Sequence, residues 1–211
     1  MALVPCPSYS TAWQLCQSFF VENKNNCLKN GIYVILFTNY ERNKIMTILI
    51  GIDPGSRGAI VEIDTYEKIC RYMKIPYCED GLLEVDLINA MFNFRCADFI
   101  YLEQVNSNKI WGIPNNFAFG GYYNQMRLMI KKHPNQLVTP KKWQAKAHVG
   151  QGSKDLTAKE KSLIAFKRLN PSFGKIQKGD DGIIDAFFIA RFAGQDNSVT
   201  VPNDLLFIEC V

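Results

Sequence analysis

Histidine is nearly absent from this 211-residue chain: only His133 and His148 occur, isolated from each other. Cysteine occurs seven times (Cys6, Cys16, Cys27, Cys70, Cys78, Cys96, Cys210), but never as Cys-x-x-Cys. These two features together exclude the usual imidazole and thiolate zinc sites. An odd, widely spaced set of cysteines also argues against a disulfide framework and fits a reducing compartment. Long apolar runs are missing too. Gly31-Ile32-Tyr33-Val34-Ile35-Leu36-Phe37 falls far short of the roughly 18 residues that a membrane helix needs. No basic n-region or small-residue cleavage site marks the first residues. The chain is therefore expected to be soluble and unexported, with no membrane partner. No internal repeat or low-complexity tract is visible. An apolar fraction of 47% suffices for one well-packed α/β domain.

Charge is unevenly distributed. Residues 131–178 carry twelve lysines and arginines against two acids, Asp155 and Glu160, for a net +10. The other 163 residues carry −6, so the total is only +4. A short basic run is usually a solvated face. Ten net charges in one segment, on a chain that also clusters acids, point to nucleic acid.

Residues 1–45 hold Asn23, Asn25, Asn26 and mixed polarity without a persistent period. The domain proper is expected to start at Met46, with 1–45 as an appendage or upstream in-frame translation. The alternative is a helix and an edge strand near Tyr33–Phe37 packed on the domain. From Met46 onward the pattern predicts strands at 47–53, 59–63 and 68–75, with Pro54-Gly55-Ser56-Arg57-Gly58 turning the first into the second. A helix over 82–94, a strand at 99–103, a helix over 121–132 and a strand at 136–138 follow. Thr157-Ala158-Lys159-Glu160 reads as a capping box opening a helix that stops at Asn170-Pro171, and a last helix spans about 181–193. This order indicates a mixed five-stranded sheet flanked by helices.

Four carboxylates stand out on these elements. Asp53 ends one apolar run and Glu103 another, while Asp181 and Asp185 are four apart on a predicted helix, hence on one side of it. Acids at an apolar core edge need a partner, and oxygen ligands suit Mg²⁺. Acids at two strand ends and on one helix face, beside a basic segment, suggest metal-dependent phosphodiester cleavage. Asp180 sits where an acid caps a helix N-terminus. Gly150-Gln151-Gly152-Ser153-Lys154 lacks the Walker spacing and reads as a DNA-contacting loop. Asn115, Asn116, Phe117 and Phe119 read as a helix lead-in. Met126, Leu128 and Met129 read as core or dimer contact.

Three motifs carry a family resemblance: Ile50-Gly51-Ile52-Asp53-Pro54-Gly55, Tyr101-Leu102-Glu103-Gln104-Val105 and Lys178-Gly179-Asp180-Asp181-Gly182-Ile183-Ile184-Asp185-Ala186. With the basic stretch Val149–Ser153, Lys159 and Lys161 between them, the layout from Thr47 to about Ala193 resembles the RuvC-type Holliday junction resolvases of the RNase H-like superfamily, especially the shorter phage and viral members. The resemblance implies an RNase H-like α/β fold for residues 46–211. It also implies a homodimer that resolves four-way junctions and other branched DNA by paired nicks leaving 5′-phosphate ends. Mg²⁺, with Mn²⁺ able to substitute, is the implied cofactor, held by Asp53, Glu103, Asp181 and Asp185. Lys141, Lys142, Lys146, Lys154, Lys159 and Lys161 are the implied DNA-binding residues. The implied location is the cytoplasm of a bacterium or of a phage-infected host cell. The family's last two acids are often three apart, so the inner ligand here is Asp180 or Asp181, the i, i+4 relation favouring Asp181. Asn106 stands where some members have a stacking aromatic, which leaves that role to Trp111 or Phe117. The helix 121–132, with Tyr122, Met126 and Met129, is the expected dimer surface.

Two other readings remain. One is a related nuclease that cuts branched DNA or an RNA–DNA hybrid without junction selectivity. The other starts from Gly51-Ile52-Asp53-Pro54-Gly55-Ser56, which also resembles the first phosphate motif of actin-like ATPases and sugar kinases. Those folds need two copies of the domain, and this chain is too short for both.

Overall fold

Three apolar runs joined by tight turns form an antiparallel meander: β1 (Ile48–Asp53), β2 (Ala59–Asp64) and β3 (Ile69–Lys74). The computed structural model describes residues 47–79, 81–92, 94, 96–105, 112–151 and 155–210. The expected leader 1–45 and Asn106, Trp111, Gly152, Ser153 and Lys154 lie outside the described residues, as does the side chain of Asn115. Helix α1 (Val85–Met91) precedes β4 (Phe99–Glu103), which pairs parallel with β1. Helix α2 (Ile113–Ile130) leads to β5 (Asn135–Val138), parallel to β4. Helices α3 (Pro140–Ala147), α4 (Ala158–Leu169) and α5 (Asp181–Asp196) follow, and β6 (Leu206–Glu209) pairs parallel with β3. The strand order is β5-β4-β1-β2-β3-β6.

The fold is thus a mixed α/β sheet flanked by helices. Among the described residues it has six strands, not five: the expected five are contiguous, and β6 extends the β3 edge. Because β1 is central and covered on both faces, it reads as a continuous apolar run. Ile50, Ile52, Ile100 and Leu102 pack with Ile88 of α1 and with Met126 and Ile130 of α2. Leu49, Val61, Ile63 and Tyr101 face the other way, onto Trp143, Phe166 and the apolar side of α5.

Two helices differ from expectation. Helix α2 begins at Ile113, so Asn116, Phe117 and Phe119 are helical and not a lead-in. Gly120 and Gly121 look like a boundary in sequence, yet they lie inside α2 with open space around them. The propensity cost of a glycine, about 1 kcal/mol, is outweighed by the helix's packing. Helix α3 is not predicted by the pattern. Pro140 reads as a breaker but occupies the first helical turn after Thr139, where a missing N–H costs nothing.

The expected dimer surface is also corrected. Met126 is fully buried, Met129 packs against the core, and the Tyr122 ring lies 4.5 Å from that of Tyr77. The exposed apolar side chains of α2 are Ile113, Phe117 and Leu128, on the opposite side of the helix. Cys70 and Cys210 are free thiols, as expected, whereas Cys96 is disulfide-bonded, which departs from the expectation of unpaired cysteines. Among the described residues no helix is long and apolar enough to cross a membrane.

Candidate active site

The approach of α5 to β1 depends on two glycines. A Cβ on Gly51 would lie 2.2 Å from the Ala186 carbonyl oxygen and 2.3 Å from the Ala190 nitrogen. A Cβ on Gly182 would lie 2.1 Å from the Arg57 carbonyl oxygen. Without these side chains, the first turns of α5 rest directly on the end of β1 and on the β1–β2 turn. Asp53 shares its strand face with Gly51, so it points to the side that α5 covers. Glu103 is one residue beyond the Ile52–Leu102 pair that aligns β4 with β1, on the face of Tyr101. Two strand ends and one helix N-terminus thereby bring Asp53, Glu103, Asp181 and Asp185 to one edge of the sheet.

A cleft of about 560 Å³ opens there, between α2 and α5. Asp53, Asp181 and Asp185 line it together with Ser56, Arg57, Phe119, Tyr122 and Lys159. Asp53 is fixed by the Gly55 N–H, which donates to its Oδ1 at 3.1 Å. Glu103 stands behind the lining, where the Trp143 indole N–H donates to its Oε1 at 2.8 Å. Asp181 is paired with the Lys159 ammonium. Among the described residues, the Asp185 carboxylate makes no side-chain hydrogen bond or ion pair.

Burial and mutual repulsion raise the proton affinity of three of these acids. Burial pushes Asp53 up to about 6, with the Asp181 charge adding to it and the Gly55 N–H and Lys159 opposing. Burial, then the charge of Asp53, raises Glu103 to about 7 against the Trp143 hydrogen bond. Burial and the charges of Asp53, Glu103 and Asp181 raise Asp185 to about 8. Asp181 goes the other way: burial would raise it, but the hydrogen bond and charge of Lys159, with Arg57, hold it below the usual carboxylate range.

Among the described residues, no group of three or more His, Cys, Asp or Glu side chains is gathered tightly enough to hold a metal ion as it stands. The donor chemistry nonetheless fits a hard cation. All four candidates offer carboxylate oxygen, three carry a charge deficit, and Lys159 already brings one positive charge among them. Asp180 is occupied elsewhere: Lys74 pairs with its Oδ1 at 2.8 Å, and the Gln177 N–H donates to its Oδ2 at 2.7 Å.

No protein-family model matches this chain, and no curated protein sequence matches it. Among solved structures, it is similar to Thermus thermophilus RuvC in complex with a Holliday junction substrate, at 13% identity and a TM-score of 0.47, over 68% of this chain and 90% of that one. It is similar also to a second Thermus thermophilus RuvC structure, at 12% identity and a TM-score of 0.44, over 74% of this chain and 99% of the other.

Of the five described lysines expected to bind DNA, only Lys159 lines the acid cleft. The capping box of Thr157 and Glu160 starts α4 so that Lys159 lies in its first turn. Lys141 and Lys142 are exposed in the first turn of α3, and Lys146 is exposed in its last turn. Burial, with the charge of Lys161 adding to it, lowers the proton affinity of His148, whose Nε2 lies 3.0 Å from Ser162 Oγ. Phe117 is exposed on α2 and does not line the cleft. Sequence reasoning missed Arg57 and Trp143 as site residues. Arg57 had one signal, a cation in the tight turn directly after Asp53. Trp143 had another, the one tryptophan within the basic segment 131–178.

Proposed function

We propose that this chain is a divalent-metal-dependent DNA endonuclease of the RNase H-like, RuvC type, acting on four-way junctions as a homodimer. The observation that carries this reading is the convergence of Asp53, Glu103, Asp181 and Asp185 from three elements on one sheet edge, three of them with proton affinities raised by burial. A carboxylate set of this kind is costly unless a cation compensates it. Asp53, Glu103, Asp181 and Asp185 would hold Mg²⁺ or Mn²⁺, which supplies Lewis-acid charge for an attacking water and a leaving 3′-oxygen.

The remaining work falls to the chain's own groups. The Gly55 N–H fixes one oxygen of Asp53 and leaves the other free to face the cleft. Trp143 holds the Glu103 carboxylate in one orientation and favours its ionised form. Lys159 offsets the charge of the acids, and Arg57 presents a cation at the rim to an incoming phosphate. Phe119 and Tyr122 form an apolar wall that limits water around the reacting phosphate. Junction selectivity and the homodimer follow from the motif resemblance and from junction symmetry. Two chains related by a two-fold axis would nick opposing strands, and the exposed side of α2 offers Ile113, Phe117 and Leu128 for the contact.

The test is cleavage of a four-way junction, a matched linear duplex and an RNA–DNA hybrid, with and without Mg²⁺. Asp53→Asn is expected to lower the rate by at least about two to three orders of magnitude while junction binding is kept or tightened. Near-normal cleavage by that variant would place the chemistry elsewhere. Equal cutting of junction and linear duplex would leave a generic nuclease. Sedimentation with a junction should give two chains per DNA.

A further inference from the structure

The β1–β2 turn is the wall of a second cavity. Ser56, Arg57 and Gly58 line the acid cleft on one side and, on the other, a cavity of about 480 Å³ that Lys74, Ile75, Lys178 and Gly179 complete. The second cavity differs from the first in sign. Three cations, Arg57, Lys74 and Lys178, line it, and no carboxylate does. Lys74 is balanced by Asp180, whereas Lys178 is exposed and has no ion-pair partner among the described residues. The two cavities are held in fixed relation, because the close contact of Gly182 with the Arg57 carbonyl fastens the turn to the start of α5. The Ile75 N–H donates to the Gly58 carbonyl at 3.0 Å, which anchors the far side of the turn to the end of β3.

A nucleic-acid strand has a phosphate on either side of the one being cut, and carboxylates repel all of them. A cationic cavity sharing a wall with an acid cleft provides for one such neighbour. We infer that the Arg57–Lys74–Lys178 cavity is a phosphate subsite that holds a backbone phosphodiester adjacent to the cleaved one. It thereby sets the direction in which the strand crosses the cleft. This subsite rests on the nuclease reading for its ligand, but its phosphate chemistry can be tested separately.

Junction binding is measured in EDTA, using DNA in which a single neutral methylphosphonate replaces each phosphate around the mapped cut in turn. In the unaltered protein, one such linkage on one side of the cut should weaken binding by on the order of tenfold at about 0.1 M salt. Lys178→Gln should weaken binding of the unmodified junction comparably, and the same neutral linkage should then cost nothing further. The Lys178 side chain is exposed, so the variant should fold, which thermal melting checks. Losses that add at every position would overturn the subsite.

A second arm uses inorganic phosphate followed by amide NMR. The Gly58 and Gly179 N–H signals should shift in the unaltered protein and not in Lys178→Gln. A shift indifferent to Lys178 overturns the subsite. If the chain neither binds nor cuts DNA but phosphate still moves these signals, the subsite stands and the nuclease reading falls. If the junction is cut normally while neither arm responds, the subsite falls and the nuclease reading stands.

Discussion

The indole N–H of Trp143 reaches Glu103 Oε1 across 2.8 Å, tying α3 to the end of β4. This hydrogen bond favours the ionised carboxylate, opposing the burial and the Asp53 charge that raise Glu103 to about 7. Removing it in Trp143→Phe should raise the proton affinity of Glu103 further. Cleavage near pH 7 should fall, and part of the loss should return as the pH is raised. A pH–rate profile checks this. An unmoved acid limb would make Trp143 a packing residue only.

Metal uptake should compete with protons. Asp53, Glu103 and Asp185 bind protons up to about pH 6, 7 and 8, and a ligand must be deprotonated to bind a cation. The Mg²⁺ concentration for half-maximal cleavage should therefore fall as pH rises from 6 to 8. Titrations at fixed pH values measure it, and a flat dependence would remove these groups from the metal site.

Stability without metal should have the opposite slope to ordinary acid denaturation. The folded state holds protons on these acids above the pH at which the unfolded chain releases them. Stability should therefore decline as pH rises from about 4 to about 8. Asp185→Asn removes the largest of these shifts. It should raise stability at pH 8 by at least about 1 kcal/mol, or roughly 2–4 °C in Tm. Thermal melts in EDTA at pH 5 and pH 8 test the sign.

Lys159 lies among the acids and holds the proton affinities of Asp53 and Asp185 down. Lys159→Gln should raise both and shift the acid limb of the pH–rate profile upward, costing on the order of tenfold in rate at neutral pH. In a parallel comparison, Asp181→Asn should impair cleavage far more than Asp180→Asn, whose main effect should be lost stability through Lys74.

The convergence of the four candidate acids was legible because they sit at the ends of strong local signals. Asp53 and Glu103 close apolar runs, and Asp181 and Asp185 share one side of a helix with a clear apolar face. That Asp180 is engaged by Lys74 and the Gln177 N–H was not legible, because those partners are distant or hidden in a loop. Trp143 and Arg57 act through tertiary contacts that leave no periodic trace. The side of α2 expected to face a partner is instead packed in the fold, because apolar residues occur on both its sides, and only packing shows which is buried. Strand β6, Leu206–Glu209, is mostly exposed at the sheet edge and shows no alternation of apolar and polar residues.

The contact of Gly51 with Ala186 and Ala190 seats Asp53, Asp181 and Asp185 on a central strand and a helix whose backbones touch directly. Heat inactivation of the proposed nuclease and global unfolding should then share a single cooperative transition, and hydrogen exchange at the Ile52 and Ala190 amides should report on that same transition.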